Sequence, residues 1–412
     1  MIAQAPRSTS LARLDARIYA LAVARGINTM GFSIVLPFLA IYLYTERGIA
    51  ASSIGAVYTL SGIVGAATQV VGGELADRFG RRLVMVSSLL ARAGVLGAMG
   101  VAIGRGGSFA TLGGLVVANA MLRSLFEPAA FAAVTDLAPI EDRVAAFGVQ
   151  RIGINVGWAM GPALGAYLAS GAYGRLFFLA VPATVGAAAL CARVRDVGAG
   201  AHVRELSLRE FLSVRRETTL LLYLGVTLLA MILVAQLFST LSIYTTARLG
   251  LRKIDLGHLY TLNGVLVVLL QFPAVRFIER IGRRQAVLLG PLIYALAYAS
   301  MGLARTVGGL ALCVAGVTVG ELVFLPAQQS LASQLGDPER QGRVMGLYGL
   351  TFAAGQSFGP LVGGVAIDHL IRWPLRMWGA LGLLGLASFI GYALVLRSAG
   401  ARRAIAPGPS SQ

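Results

Sequence analysis

The sequence predicts an all-α membrane protein with twelve transmembrane helices, forming two six-helix bundles related by a pseudo-two-fold axis. Three observations support this fold class. Of 412 residues, 57% are hydrophobic and 13% are charged, whereas a soluble domain has about 25% charged residues. Apolar runs of about twenty residues, the length that crosses a bilayer, recur along the whole chain. A short charged motif occurs twice, 202 positions apart.

Twelve apolar runs predict transmembrane helices, because a backbone in lipid must satisfy its hydrogen bonds internally. The first run is too long for the core of a signal peptide and is interpreted as an uncleaved span. The predicted spans are 18–44, 53–75, 83–103, 109–135, 144–170, 174–194, 219–247, 255–277, 285–304, 308–333, 343–368 and 375–397.

An internal repeat divides the chain into two halves that begin on the same side of the membrane. Tyr58 corresponds to Tyr260 at an offset of 202, and Pro128 corresponds to Pro326 at an offset of 198. The change of four residues fits a longer loop near Arg105 in the first half. The predicted segments are an N-terminal tail (1–17), a bundle (18–194), a linker (195–217), a second bundle (218–397) and a C-terminal tail (398–412).

The basic residues indicate topology rather than nucleic-acid binding. The net charge is +17 and the isoelectric point is near 10.8, but the arginines lie between apolar runs instead of clustering on a soluble module. With the N-terminus inside, the cytoplasmic segments hold 22 Lys and Arg residues and the outer loops hold nine. This asymmetry predicts that both termini are cytoplasmic. Within the linker, Leu206, Leu208, Phe211 and Leu212 predict a helix on the membrane surface.

The sequence contains no arrangement typical of an enzyme or of a metal site. Cys191 and Cys313 each lie within an apolar run and are expected to be small buried residues. The three histidines are isolated, without the spacing of metal ligands. No Ser/His/Asp or Cys/His arrangement is present. We therefore predict neither enzymatic activity nor a cofactor.

A charged loop joins the second and third spans and recurs in degenerate form between the eighth and ninth. The first copy is Gly73-Glu74-Leu75-Ala76-Asp77-Arg78-Phe79-Gly80-Arg81-Arg82, and the second is Glu279-Arg280-Ile281-Gly282-Arg283-Arg284. Arginines alone would anchor the topology, but this does not explain why an acid is retained among them. Asp77 is well placed to accept hydrogen bonds from a helix N-terminus, and Arg81 is expected to pair with Asp136.

Glycines spaced four apart leave one face of the fifth span without side chains, and this glycine stripe is repeated on the eleventh span. A proline in each stripe removes one helical hydrogen bond and permits a bend. Two interpretations are open: ordinary close packing, or a hinge or sliding seam between the halves. The residues are Gly157, Gly161, Pro162 and Gly165, and Gly355, Gly359, Pro360 and Gly363.

The charged loop, Arg123 in the fourth span and the glycine-proline stripe resemble the signature motifs of the major facilitator superfamily. Among its members, twelve-span drug:proton antiporters and related bacterial exporters are the most similar. In the second loop, Val275 and Glu279 replace the leading glycine and the aspartate. The first span has Arg25 and Asn28 but no acid.

The resemblance implies a cytoplasmic gate, in which the loop aspartate caps a helix of the opposite half and locks the outward-facing state. The gate would comprise Gly73, Asp77, Arg78, Gly80, Arg81, Arg82, Asp136, Glu279, Arg280 and Arg283.

The resemblance also implies a central cavity lined by the fourth and tenth spans. Arg123 and Glu127 share a helix face, and Glu321 corresponds to Arg123 at an offset of 198, so the three are expected to form a charge cluster. Structural pairing is the alternative for the carboxylates, and pairing or snorkelling is expected of Arg92. The candidate proton or substrate residues are Glu127, Glu321, Arg123, Arg151, Asn155, Arg25, Asn28, Gln236 and Gln356. The aromatic candidates are Tyr42, Tyr58, Phe38 and Trp158. For the uncharged polar and aromatic candidates, interhelical hydrogen bonds and membrane-interface belts are the alternative to ligand contact.

These features predict a secondary transporter that works by alternating access and exports small amphipathic molecules or drugs in exchange for protons. Proton-coupled uptake of a sugar, organic acid or amino acid is the first alternative, and a non-transporting membrane receptor is the second. The predicted partners are a small-molecule substrate, protons and the lipid bilayer, with no nucleic acid. The protein is expected to be a monomer of the bacterial inner membrane that uses the proton gradient as its energy source.

Overall fold

A computed structural model describes residues 14–139, 142–169, 173–194, 218–335 and 341–398. Each of the twelve predicted spans is helical in these ranges, which confirms the all-α class. The helices are α1 (Ala16–Ile41), α2 (Ala51–Phe79), α3 (Arg81–Gly104), α4 (Phe109–Leu137), α5 (Arg143–Ala169), α6 (Tyr173–Ala192), α7 (Thr218–Arg248, including short 3-10 and π segments), α8 (Lys253–Ile281), α9 (Arg283–Met301), α10 (Val307–Ala332), α11 (Gln341–Leu370) and α12 (Pro374–Arg397).

Within the described residues, nine of these helices are long and apolar enough to cross a membrane. The other three are α1, α5 and α9. The shortest of them, α9, has 19 residues, which at 1.5 Å per residue gives about 28 Å, close to the thickness of the hydrocarbon core.

The sequence repeat is reproduced in the backbone. Gly80, between α2 and α3, has φ +91°, and Gly282, between α8 and α9, has φ +85°. Both angles lie in the region that favours glycine, so a single residue turns the chain between consecutive helices. A π-helical turn follows α1 at Tyr42–Glu46, and an equivalent turn ends α7 at Tyr244–Arg248, again 202 positions later.

Backbone contacts divide the chain into two compact units. Unit 1 comprises residues 1–39 and 64–202, and unit 2 comprises residues 40–63 and 203–412. The predicted segments follow the sequence repeat, whereas this division follows packing and assigns residues 40–63 to unit 2. The predicted surface helix of the linker lies outside the described residues.

In unit 1, α3 packs against both α4 and α6. A core of buried apolar side chains, including Leu21, Met85, Leu89 and Phe126, joins α1, α3 and α4. In unit 2, α9 packs in the same way against α10 and α12. The two halves of the sequence therefore use equivalent helix pairs to bury their apolar faces.

The glycine stripe of α5 packs against α1 within unit 1. A methyl group at Gly157 would overlap the carbonyl oxygen of Gly26, and one at Gly165 would overlap the Phe38 ring. The Ser33 hydroxyl donates a hydrogen bond to the Gly157 carbonyl oxygen at 3.0 Å. The absence of side chains on α5 thus lets the two backbones approach closely.

The stripe of α11 makes the equivalent contact with α7 within unit 2. Methyl groups at Gly355 and Gly359 would overlap the side chains of Met231 and Ala235. The Gln236 amide donates a hydrogen bond to the Gly359 carbonyl oxygen at 3.0 Å. Close packing describes the contacts of both stripes, and the hinge between halves stays a prediction.

The first turns of α2 pack against α11 within unit 2. The Asp368 carboxylate accepts hydrogen bonds from the backbone N–H groups of Ala51 at 2.8 Å and Ser52 at 2.9 Å. The Thr59 hydroxyl donates to the Ser357 carbonyl oxygen at 2.8 Å. A side chain of α11 thereby caps a helix whose N-terminal N–H groups have no partner within α2.

We expect Asp368→Asn to weaken this cap, because the amide keeps the shape but loses the negative charge at the helix N-terminus. The expected loss is about 0.3–1 kcal/mol, measured as a lower midpoint of thermal unfolding in detergent. The control is His369→Gln, since His369 is exposed and its ring forms a hydrogen bond with the Val365 carbonyl oxygen of its own helix. An unchanged midpoint for Asp368→Asn would contradict the capping role.

Candidate functional site

Polar side chains inside unit 1 converge from α1, α3 and α4. On α4, Asn119, Arg123 and Glu127 are spaced four apart, so they lie on one helix face. Arg25 and Asn28 are three apart on α1 and also share a face. Charged side chains inside a transmembrane helix bundle cost free energy, and they are retained where they pair with each other or act on a substrate.

Glu127 forms its ion pair with Arg25. The Arg25 Nη2 to Glu127 Oε2 distance is 2.7 Å, and the two side chains are 10% and 23% exposed. The sequence predicted pairing along α4 with Arg123, and the structure adds Arg25 of helix α1 as an ion-pair partner. Arg123 remains close enough to attract Glu127 electrostatically. Glu127 thus interacts with two guanidinium groups.

Arg92 on α3 is completely buried. Its Nε donates to Asn119 Oδ1 at 2.9 Å, and its Nη1 donates to the carbonyl oxygen of Asn28 at 3.1 Å and to the side-chain oxygen of the same residue. The prediction that Arg92 snorkels to the membrane surface is therefore wrong, because its guanidinium is buried and donates hydrogen bonds to the side chains of two asparagines. The prediction from sequence missed Asn119, although its position four residues before Arg123 was a usable signal.

Glu321 on α10 is half-buried in unit 2. It is close enough to Tyr294 and Tyr298 of α9 to act on both phenols electrostatically. No hydrogen bond or ion pair joins Glu321 to another residue of the described ranges. Arg123 and Glu127 belong to unit 1, so the cluster that joins them to Glu321 stays a prediction.

The other predicted cavity residues differ in burial. Gln236 is fully buried and bonded to the Ile232 and Gly359 carbonyl oxygens, which gives it a packing role. Arg151 and Asn155 are exposed on α5, and Gln356 is half-buried on α11. Among the aromatic candidates, Phe38, Tyr42 and Tyr58 are buried and Trp158 is half-buried.

The charged loop of the first half holds a compact ion network. Arg81 is 4% exposed, and its guanidinium lies 3.0 Å from Asp77 and 3.1 Å from Asp136. The contact with Asp136 is ionic, because the Nε–H is not aligned for a hydrogen bond. The Arg81–Asp136 pair predicted from the sequence is confirmed, and it fixes the end of α4 to the start of α3.

The remaining loop residues are arranged differently in the two halves. Arg78 lies over the Phe79 ring at 5.4 Å, and Gly73 faces open space. In the second copy, Gln334 occupies the position equivalent to Asp136. Glu279, Arg280 and Arg283 are exposed there, and no ion pair joins them to other described residues. The ion network is therefore a feature of the first loop.

No group of three or more His, Cys, Asp or Glu residues within the described ranges is placed to hold a metal ion. Cys191 and Cys313 are both buried and free.

Comparison with known proteins identifies the class. The profile of the Major Facilitator Superfamily matches residues 21–257 and 218–411, so the protein is a multi-pass membrane transporter and not an enzyme. The chain belongs to the Major Facilitator Superfamily. The resemblance noted in the sequence motifs is thereby confirmed.

Similar proteins include bacterial transporters. The chain is 30% identical to the uncharacterized MFS-type transporter YqjV of Bacillus subtilis over 353 residues, covering 82% of this chain and 83% of YqjV. It is 27% identical to the multidrug resistance protein MdtH of Salmonella arizonae over 388 residues, covering 90% and 92% of the two chains.

Solved structures show the same fold. The crystal structure of the nucleoside transporter NupG has a TM-score of 0.77 at 12% identity and covers 93% of this chain and 100% of NupG. A bacterial homolog of the human lysosomal transporter Spinster, in an inward-facing and occupied conformation, has a TM-score of 0.72 at 17% identity and covers 94% and 93%. These likenesses confirm the helical architecture.

Proposed function

We propose that this transporter exports small amphipathic molecules in exchange for protons. The observation that carries the proposal is the half-buried Glu127, which forms an ion pair with Arg25 inside a helix bundle. The similarity to MdtH, named a multidrug resistance protein, over most of both chains supports export as the direction. The protein would act as a monomer in the inner membrane with both termini in the cytoplasm.

The Arg25–Glu127 pair gives proton binding a structural consequence. When Glu127 takes up a proton, its attraction for Arg25 is lost and the guanidinium is released from its partner. Glu321, with no cationic partner among the described residues, is a second group able to carry a proton. Alternating access would expose these carboxylates first to the outside, where protons bind, and then to the cytoplasm, where protons leave.

We expect that replacing the coupling carboxylate with glutamine abolishes proton-driven transport, because an amide cannot release a proton. Glu127→Gln and Glu321→Gln should be reconstituted separately in liposomes with an imposed proton gradient, using a fluorescent amphipathic dye as cargo. The readouts are dye movement and the accompanying proton flux.

The exposed Glu74→Gln is the matched control for insertion and folding, since the structure gives the Glu74 side chain no ion pair among the described residues. Full coupled transport in both Glu127→Gln and Glu321→Gln would disprove the assignment of the proton to these residues. Accumulation of the dye inside vesicles oriented as in the cell, driven by inward proton movement, would indicate uptake instead of export.

A further inference from the structure

We propose that Tyr294 and Tyr298 of α9 are positioning residues for Glu321 of α10, and that their hydroxyl groups donate hydrogen bonds to its carboxylate once the proton has left. This inference rests on the proposed transport function and adds two residues to the proton site. All three residues belong to unit 2. Neither tyrosine was among the candidates predicted from the sequence.

Close packing between α9 and α10 brings Glu321 and Tyr294 together. A methyl group at Gly320 would lie 3.2 Å from Ile293 Cγ2, so the residues next to the carboxylate and next to the phenol are in contact. Three residues after Glu321, the Phe324 ring packs edge-on against the Tyr294 ring at a centroid distance of 6.1 Å. The same stretches of the two helices therefore carry the carboxylate and the phenol, and Glu321 acts electrostatically on both tyrosines.

The two phenols are donors without acceptors, and the carboxylate is an acceptor without donors. Tyr294 and Tyr298 are 1% and 0% exposed, and neither hydroxyl has a hydrogen-bond partner among the described residues. An ionised carboxylate away from water is costly unless it is paired or hydrogen-bonded. A hydrogen bond from a phenol to Glu321 would satisfy both groups, and it would be stronger to the ionised carboxylate than to the protonated acid.

The internal repeat shows that the polar partners differ between the two halves. Tyr294 takes the place of Arg92 at the offset of 202. The two asparagines that hold Arg92 correspond to Ala230 and Val317, at offsets of 202 and 198. The second half therefore keeps a donor at this position but replaces both amide acceptors with apolar side chains. Glu321 is the acceptor that the second half provides instead.

Neighbouring aromatic side chains fix the orientation of the two tyrosine rings. Tyr294 and Tyr298 stack at a centroid distance of 6.1 Å. Trp378 of α12 stacks on Tyr298 at 6.0 Å, with 12° between the ring planes. Glu321 is half-buried and its side chain rotates about several bonds. The carboxylate can therefore move towards hydroxyl groups whose rings stay in place.

Other ionisable groups of unit 2 are less well placed to act on the carboxylate. Besides α9, α10 packs against α8 and α11, and their middle stretches, 261–275 and 349–367, contain no ionisable side chain. On α10 itself, Cys313 lies about two turns before the carboxylate. Tyr260 of α8 and Tyr392 of α12 are engaged in hydrogen bonds of their own. The two tyrosines of α9 are thus the groups expected to affect its ionisation.

The test measures the ionisation of Glu321 in the purified full-length protein in neutral detergent. Dicyclohexylcarbodiimide modifies carboxyl groups in apolar surroundings when they are protonated, and mass spectrometry of the labelled peptides follows each carboxyl group as the pH is varied. Loss of a phenol donor removes stabilisation from the ionised carboxylate, so the proton is held to higher pH. We expect Tyr294→Phe and Tyr298→Phe each to raise the midpoint of Glu321 labelling by about one pH unit, a tenfold change in proton affinity. The double variant should show a larger shift than either single variant.

Matched controls separate this effect from a change in packing. Tyr244→Phe removes another buried hydroxyl without a partner, on a ring that packs against Trp378, and it should leave the Glu321 midpoint unchanged. Labelling of Glu127 is an internal reference, because its midpoint should be the same in every variant. Below the labelling midpoint, the phenylalanine variants should unfold at the same temperature as the natural protein, since they keep the rings. A purely structural role would lower the unfolding temperature and leave the labelling midpoint unchanged.

An unchanged labelling midpoint in the double variant, or a shift to lower pH, would overturn the inference. An equal shift in Tyr244→Phe would also overturn it, because the effect would then not depend on proximity to Glu321. If the midpoints shift as expected but Glu321→Gln keeps full proton-coupled transport, the positioning role stands and Glu321 is not the proton carrier of the proposed function. Loss of coupled transport in Glu321→Gln with unshifted midpoints would refute only the positioning role.

Discussion

Gly157→Leu is expected to destabilise the protein severely, because its side chain would have to occupy the contact between α5 and α1. A β-carbon at this position would overlap the Gly26 carbonyl oxygen and lie 3.0 Å from the Met30 nitrogen. Both obstacles are backbone atoms of a helix, so no side-chain rotation relieves them. Overpacking of this kind costs about 3 kcal/mol, and the midpoint of thermal unfolding should fall by roughly 5–10 °C.

Gly148→Leu is the matched control on the same helix. Gly148 is exposed, and a β-carbon there would meet no atom within 4 Å. Leucine also has a higher helix propensity than glycine, so stability should be kept or slightly raised. Fluorescence-detected size exclusion and thermal unfolding in detergent measure both variants. Similar midpoints for Gly157→Leu and Gly148→Leu would show that α1 and α5 do not pack through this stripe.

Gly55→Leu is expected to separate the first turns of α2 from α11. A β-carbon at Gly55 would overlap the Pro360 carbonyl group and the Cα of Leu361, both parts of the α11 backbone. The Asp368 cap and the Thr59 hydrogen bond depend on the same close approach and should be lost together. The expected loss is at least as large as that of Gly157→Leu, and we expect transport in liposomes to fall below detection.

Ala56→Leu, one residue further along α2, adds bulk on the exposed side of the same helix. Its unfolding midpoint and transport rate should match those of the natural protein. Cysteines introduced at Ser52 and Ile367 provide a second measure, because cross-linking between them should be lost in Gly55→Leu and kept in Ala56→Leu. Cross-linking and stability that persist in Gly55→Leu would exclude this contact.

The helices were predictable because a membrane imposes one secondary structure and a fixed length on each apolar run. The repeat was predictable because identical residues recur at a constant offset, and it extends to atomic contacts. Gly157 faces Gly26 and Met30 of α1, and Gly355 faces Leu228 and Ile232 of α7, each partner displaced by 202 positions. The repeat offset therefore relates the helix contacts of one half to those of the other, although the partner helix of each glycine stripe was not predicted.

The partners of the buried charges were less predictable, because they come from other helices. Helical spacing suggested Arg123 as the partner of Glu127 but did not suggest Arg25, whose ion pair with Glu127 crosses from α1 to α4. Asn119 holds Arg92 although neither residue belongs to a recognised motif. Asp368 caps a helix more than three hundred residues earlier in the chain, a relation that no local pattern contains. The Arg81–Asp136 pair was predictable because each residue lies at a helix end on the same side.

The assignment of residues 40–63 to unit 2 has a consequence for how the protein is made. A polypeptide that stopped within the linker would already contain the start of α2, but it would lack Asp368 to cap that helix and Pro360 to cover Gly55. The ribosome must therefore produce almost the whole sequence before this early segment can make the contacts with α11 described above. Expressing the two repeats as separate chains should yield a stable product only when both are present together.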